Sequence, residues 1–196
     1  MSAPEATAGA GMPGVRLGAC PADVVELAAY RARRAELEPL AAAHGGTLPA
    51  IGRCAALEGR LALSVRPGRW LLLTPPAVPG GAAARWSEAL TGVGAALDLS
   101  GALAAFLLAG PAVREVLVRS CRLDLRPEAF PTGSAAATIM VQVPVTLAAL
   151  AAGVLILTPA TTARHLHEWL LETSAPFGLG PAFEASVPQL CGDRSI

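Results

Sequence analysis

Two stretches, RLALSVRPGRWLLLTPP (residues 60–76) and ATIMVQVPVTLAALAAGVLILTP (residues 137–159), decide the fold, because they read as two copies of one unit. Each reads as two strands around a turn, at Pro67 and Gly68 in the first and near Gly153 in the second. Each is followed by a helical stretch, AAARWSEAL (82–90) and TTARHLHEWLLET (161–173). Leu73, Thr74 and Pro75 recur as Leu157, Thr158 and Pro159, and Trp86, 12 residues after Thr74, is echoed by Trp169, 11 residues after Thr158. Proline supplies no donor to a ladder, so each LTP closes a strand, and each tryptophan falls on the next helix, where it covers a sheet face.

Ahead of the second copy, residues 102–110 read as a strand, and residues 111–121 as a helix opened by proline at its first position. The first copy has a leading helix predicted at 22–44, with Asp23 near its start, Leu27, Tyr30, Leu37 and Leu40 on its apolar face, Pro39 as a break or kink, and Gly45 and Gly46 at its end. Arg31, Arg33 and Arg34 form its solvated face. The result is an α+β fold made of two related ferredoxin-like half-units packed together, about 22–92 and 95–175, with helices covering one face of each sheet. They form one domain over 15–180. Residues 1–14 and 181–196 are expected to be tails, the first disordered for want of core-forming residues.

Hydrophobic residues are 53% of the 196-residue chain and charged residues 15%, which leaves few charges to solvate the surface and points to burial against a partner or a membrane. Fifteen basic and fifteen acidic residues cancel without a basic cluster, which argues against nucleic acid. Residues 129–163 carry no charge, more than the roughly 20 residues a spanning helix needs. Pro131, Gly133, Gln142, Pro144, Gly153 and Pro159 interrupt that stretch, so buried strands fit better and no membrane is expected. Cys20, Cys54, Cys121 and Cys191 make no CxxC pair, and the N-terminus lacks a basic region followed by an apolar run; a reduced, cytoplasmic protein follows.

Groups for catalysis are scarce. His165 and His167 point about 200° apart on a helix, whereas helical metal pairs need a spacing of three or four. His44 sits at a predicted helix end with no companion ligand. No GxGxxG follows a strand and opens a helix, no P-loop or GxSxG element occurs, and the GGAAA at 80–84 is only a weak phosphate signal. Catalytic, cofactor-binding and metal residues are therefore all expected to be absent. What stands out is DLSGALAAFLLAGPAVREVLVRSCRLDLRPEAFPTG (98–133): a tight strand-to-helix junction at Gly110 and Pro111, then a proline-containing loop whose Phe130 must find cover, within this chain or from a partner.

That segment resembles the sarcosine oxidase gamma subunit family, through Gly110, Pro111, Cys121, Leu123, Asp124, Leu125, Pro127, Ala129, Phe130, Pro131 and Gly133. RPGRWLLL (66–73) and HLHEWLLETSAPFG (165–178) are similar to further family segments in the same order. The resemblance implies a fold related to the folate-binding domain of the glycine-cleavage T-protein. It also implies a non-catalytic accessory subunit of a heterotetrameric flavoenzyme that oxidatively demethylates an N-methyl amine such as sarcosine. On that reading the partners are larger alpha and beta subunits and a small delta subunit, and FAD, FMN, NAD and tetrahydrofolate are bound there rather than by this chain. Gly110, Pro111, Cys121, Leu123, Asp124, Phe130, Pro131 and Gly133 are the motif and interface candidates. Two positions depart from the family pattern: Asp98 and Ser100 are followed by Gly101, Ala102 and Leu103 instead of a histidine and an arginine, and Arg126 replaces the histidine of LDLHP. The competing reading is a stand-alone folate-binding or aminomethyltransferase-like protein of the same fold.

Overall fold

The structure is a computed structural model that describes residues 13–43 and 46–192. Two sheets, antiparallel but for one short pairing at an edge, lie face to face. The first contains β2 (Asp23–Ala29), β3 (Arg53–Leu57), β4 (Arg60–Arg66), β5 (Arg69–Thr74) and β6 (Gly94–Asp98), in the order β3-β4-β5-β2-β6. The second contains β1 (Arg16–Ala19), β7 (Leu103–Ala109), β8 (Ala135–Met140), β9 (Val143–Leu150), β10 (Gly153–Pro159) and β11 (Phe183–Glu184), in the order β11-β1-β7-β10-β9-β8. Read from β8, the second order matches the first position by position, with β7 in the place of β2 and β1 in the place of β6. The strand that completes each sheet is thus exchanged: the N-terminal β1 joins the second sheet, and β6 stays with the first.

The repeated motifs occupy equivalent places. Thr74 lies opposite Asp23 at the start of β2, and Thr158 opposite Ala104 at the start of β7. Each LTP therefore ends the strand that pairs with β2 or with its counterpart β7. Trp86 is buried on α2 (Gly81–Ala89), and half-buried Trp169 sits on α4 (Ala163–Ser174).

Three apolar clusters make four layers. Leu61, Leu63 and Leu73 of the first sheet meet Leu107, Leu155 and Leu157 of the second between the sheets. Leu27, Leu72 and Ala62 pack under α2 and α1 (Arg34–Ala43), and Leu108, Leu147 and Ile156 pack under α4 and α3 (Val113–Leu117). β4 is buried at four consecutive positions, Leu61 to Ser64, because both its faces are covered, and so its sequence does not alternate. The uncharged stretch at 129–163 supplies β8, β9 and β10, and no helix among the described residues is long and apolar enough to cross a membrane.

Several expectations change. The predicted helix at 22–44 is a strand and then a helix: residues 23–29 pair with both β5 and β6, and the helix begins only after a 3-10 turn at Arg31–Arg33. Val24, Val25 and Leu27 are buried between two neighbouring strands and two layers, and that burial outweighs the local helical pattern. The helix runs through Pro39 to Ala43, and Arg31, Arg33 and Arg34 are exposed as expected. His44 and Gly45 lie outside the described residues. Strands beyond those expected also appear, β3 and β6 in the first sheet and β1 and β8 in the second. The helix expected over 111–121 is helical only at Val113–Leu117. Residues 181–192 are not a tail, because β11 runs parallel to β1, and Val187 and Leu190 of α5 (Val187–Leu190) are buried in the inter-sheet cluster. Pro13 and Gly14 are likewise built into the fold, Gly14 accepting a hydrogen bond from the Ala112 amide at 3.0 Å, whereas residues 1–12 lie outside the described residues.

Candidate functional site

Gly110 opens the site. It has φ +120, and a Cβ there would lie 2.5 Å from the Gly14 carbonyl oxygen and 3.1 Å from Val15 Cα, because the N-terminal segment crosses directly over the β7 to α3 junction. Only glycine satisfies both the angle and the approach. Pro111 follows, exposed, and starts the short turn of α3.

From α3 the Arg114 guanidinium reaches back into the loop that follows. It donates to the carbonyl of Leu125 through Nη1 and to the carbonyl of Phe130 through Nη2 at 3.1 Å. Leu125 and Phe130 are buried, 4% and 5% exposed, in the cluster under α3 and α4, so the cover that Phe130 requires comes from within this chain. The same arginine holds both ends of segment 125–130. Between those ends, the amides of Ala129 and Phe130 both donate to the Arg126 carbonyl, closing a tight turn.

Upstream, Cys121 is buried, bridges to Met140 at the end of β8 and places its Sγ 3.9 Å from Thr138 Oγ1. Leu123 is half-buried against the same cluster. Asp124 and Arg126 are exposed and paired bidentately, Arg126 Nε to Oδ1 at 3.0 Å and Nη2 to Oδ2 at 2.6 Å. The side chain and backbone N–H groups of Arg126 hold the Asp124 carboxyl down to about 2. Arg126, which stands where the family pattern has histidine, is therefore committed to its own loop. Downstream, Pro131 is exposed and its carbonyl accepts from the Ser134 amide at 3.0 Å.

Gly133, at φ +86, then joins the two sheets. Its amide donates to Ala149 of β9 and its carbonyl accepts from Cys54 of β3, while Ala135 donates to Gly52. A Cβ there would lie 3.3 Å from Arg53 Nη2, which leaves little room for any side chain. Segment 110–133 is therefore one structure, pinned by the N-terminal segment at one end, by Arg114 in the middle and by the inter-sheet junction at the other. Exposed along it are Gly110, Pro111, Glu115, Val118, Arg119, Arg122, Asp124, Arg126, Pro127, Glu128, Ala129, Pro131 and Thr132.

Arg114 was the residue that motif reading missed. Its signal is that it is a charge flanked by positions 113, 116 and 117, all of them buried, on a helix too short to carry a solvated face of its own.

The remaining candidates are dispersed. Asp98 Oδ1 accepts from both the amide and the hydroxyl of Ser100, whose Oγ in turn accepts from the Val24 amide at 3.0 Å. These bonds from Ser100 lower the Asp98 carboxyl below the usual range, and the turn is spent on joining the end of β6 to its neighbour β2. His165 is exposed, while His167 lies with its ring centroid 5.4 Å from that of Phe106. Among the described residues no three His, Cys, Asp or Glu side chains converge as metal ligands. A cleft of about 290 Å³ opens between the sheets beside Trp70, Leu103 and Thr158, at the small end of ligand sites and with a mainly apolar lining.

Comparison with known proteins agrees with the motif and the fold. Residues 37–176 match the family described as sarcosine oxidase, gamma subunit family. A sarcosine oxidase subunit gamma from an Arthrobacter species is 40% identical over 111 residues, 55% of this chain and 54% of that protein, so the match spans about half the length of that relative. Among solved structures, a chain of the heterotetrameric sarcosine oxidase from Corynebacterium sp. U-96, in complex with pyrrole 2-carboxylate, superposes with a TM-score of 0.76 at 29% identity, covering 88% of this chain and 89% of that one. The glycine cleavage system aminomethyltransferase T of Bartonella henselae superposes with a TM-score of 0.63 at 16% identity over 88% of this chain and 48% of that one, which shows a shared fold. With the matched family region covering well over half of its length, this chain belongs to the sarcosine oxidase gamma subunit family.

Proposed function

We propose that the chain is the accessory gamma subunit of a heterotetrameric sarcosine oxidase-like flavoenzyme that oxidatively demethylates an N-methyl amine such as sarcosine. Its part is assembly rather than redox chemistry. The observation that carries this reading is the match to a chain of the Corynebacterium complex over nearly the whole of both chains, 88% and 89%. The site supports it: segment 110–133 is a hydrogen-bonded element with an exposed rim, in which Arg114 is committed to backbone carbonyls and Asp124 to Arg126. Alpha, beta and delta subunits are the partners, and FAD, FMN, NAD and tetrahydrofolate belong to them. Four cysteines, none in a disulfide, suit the reducing cytoplasm.

The test is co-expression of the tagged chain with alpha, beta and delta subunits of a sarcosine oxidase from the same organism. The expected result is a stoichiometric complex that carries flavin and oxidises sarcosine, and loss of assembled complex when this chain is omitted. A chain that stays monomeric in the presence of those subunits and binds tetrahydrofolate by itself would instead establish the stand-alone folate-binding reading.

A further inference from the structure

Beside segment 110–133 lies a surface whose residues make no sense for a free monomer. A depression of about 490 Å³ is walled by Ile139 and Val141 at the β8 to β9 turn, by Trp169 of α4, and by Arg119 and Arg122 from the segment that follows α3. Ile139 is 61% exposed although it stands beside Met140, which is fully buried.

The turn itself is strained. Val141 and Gln142, which link β8 to β9, have φ +48 and +63. Two-residue hairpins of that kind favour Asn-Gly, because a β-branched side chain is crowded in the left-handed region. Non-glycine residues held there cluster at binding surfaces, where the surroundings over-determine them. Here the strained residue is an apolar one that forms part of the depression's wall.

The rim is cationic. Neither Arg119 nor Arg122 forms an ion pair among the described residues, and no Asp or Glu lines the depression. The Arg119 guanidinium instead lies 4.7 Å over the Phe177 ring, which fixes its position without neutralising it. An apolar floor under two uncompensated guanidinium groups is complementary to an apolar side chain flanked by carboxylates. A second copy of this chain does not offer that. A two-fold interface places one patch against itself, and would set two arginines against two.

We propose that this depression seats a segment of a partner subunit in which a large apolar side chain is flanked by acidic residues, the apolar group packing on Ile139, Val141 and Trp169 and the carboxylates pairing with Arg119 and Arg122. The proposal rests on the subunit reading above and locates its contact.

The experiment uses the complete co-expressed complex, with a tag on this chain. Arg119→Glu with Arg122→Glu, and separately Ile139→Asp, are compared with the unmodified chain for recovery of the other subunits at low and high salt, and thermal melting of each variant verifies that it is folded. Two reversed guanidinium charges are expected to lower recovery about tenfold or more, and the unmodified complex to weaken as salt rises. Val141→Asn, which relieves the strain, is expected to leave the melting temperature equal or higher while recovery falls, a combination that a purely structural valine does not give. Recovery by folded variants equal to that of the unmodified chain overturns the proposal while leaving the subunit reading intact. Failure of the unmodified chain to recover any subunit overturns that reading, and the named partner with it. A homodimer of this chain that the arginine reversal abolishes overturns the proposal in favour of a second copy.

Discussion

Replacing Arg114 with methionine keeps most of the side chain's length and removes the clamp on segment 125–130. Two carbonyl oxygens, those of Leu125 and Phe130, lose a charged donor at once. A hydrogen bond to a charged group contributes about 1.5–3 kcal/mol, and a buried acceptor left unmatched costs about 1–3 kcal/mol. Both carbonyls belong to residues that are about 95% buried, but Arg114 itself is only half-buried and water reaches part of the gap, so a combined loss of about 2–4 kcal/mol is expected. For a chain of this size that is roughly a 5–15 °C drop in melting temperature. The assay is thermal unfolding of Arg114→Met and Arg114→Lys, combined with amide hydrogen exchange. Lysine retains the charge but reaches one carbonyl rather than two, and is expected to recover about half of the loss. Exchange is expected to accelerate at Ala129 and Phe130, whose amides close the clamped turn, and not in β5. A melting temperature within 1 °C of the original, with unchanged protection at those two amides, would refute the clamp.

Gly110→Ala forces a Cβ to within 2.5 Å of the Gly14 carbonyl oxygen at φ +120, and is expected to shift the N-terminal segment and yield insoluble chain, read as loss of the soluble fraction. Leu155→Ala, at a fully buried position between the sheets, is expected to cost about 2–5 kcal/mol by chemical denaturation. Asp124 has its carboxyl lowered to about 2 in the folded chain against about 3.9 in the unfolded one, so the Asp124–Arg126 pair contributes fully above pH 4 and is lost as pH falls from about 4 towards 2. Nuclear magnetic resonance of the loop should show that loss, and Asp124→Asn should abolish its pH dependence. Burial, with a smaller contribution from Glu184, raises the Cys20 thiol to about 11, so the more exposed Cys191 is expected to be alkylated well before Cys20 at pH 8, as followed by mass spectrometry.

The repeat was legible in the sequence because it rests on features that act locally: proline ending a ladder, glycine in a turn, tryptophan on the succeeding helix. The relation between Thr74 and Thr158 carried over directly into equivalent places opposite β2 and β7. Segment 23–29 was not legible as a strand. Its conformation is set by β5 and β6, whose paired residues are 41 or more positions away, and Glu26 interrupts the apolar run much as a helix would. β8 was hidden by its turn, since Val141 and Gln142 are not residues that announce a reversal of direction. At the site, the motif glycines pointed to real constraints, whereas the role of Arg114 emerges only when α3 and the loop are placed together. The exchange of β1 and β6 between halves has no local signature, because either segment taken alone is simply a short apolar strand.

That exchange has a consequence for how the chain is made. β1 leaves the ribosome about 90 residues ahead of its partner β7, with the whole of the first sheet in between. The N-terminal strand must therefore wait, unpaired, while the half that follows it closes on β6. Folding cannot proceed strictly in chain order; the second half becomes complete only when β1 returns to it. Contacts of this long range fold slowly and leave apolar edges open to wrong partners in the interval. An N-terminal fusion that retards the return of β1 should therefore reduce yield more than a fusion of the same size at the other end.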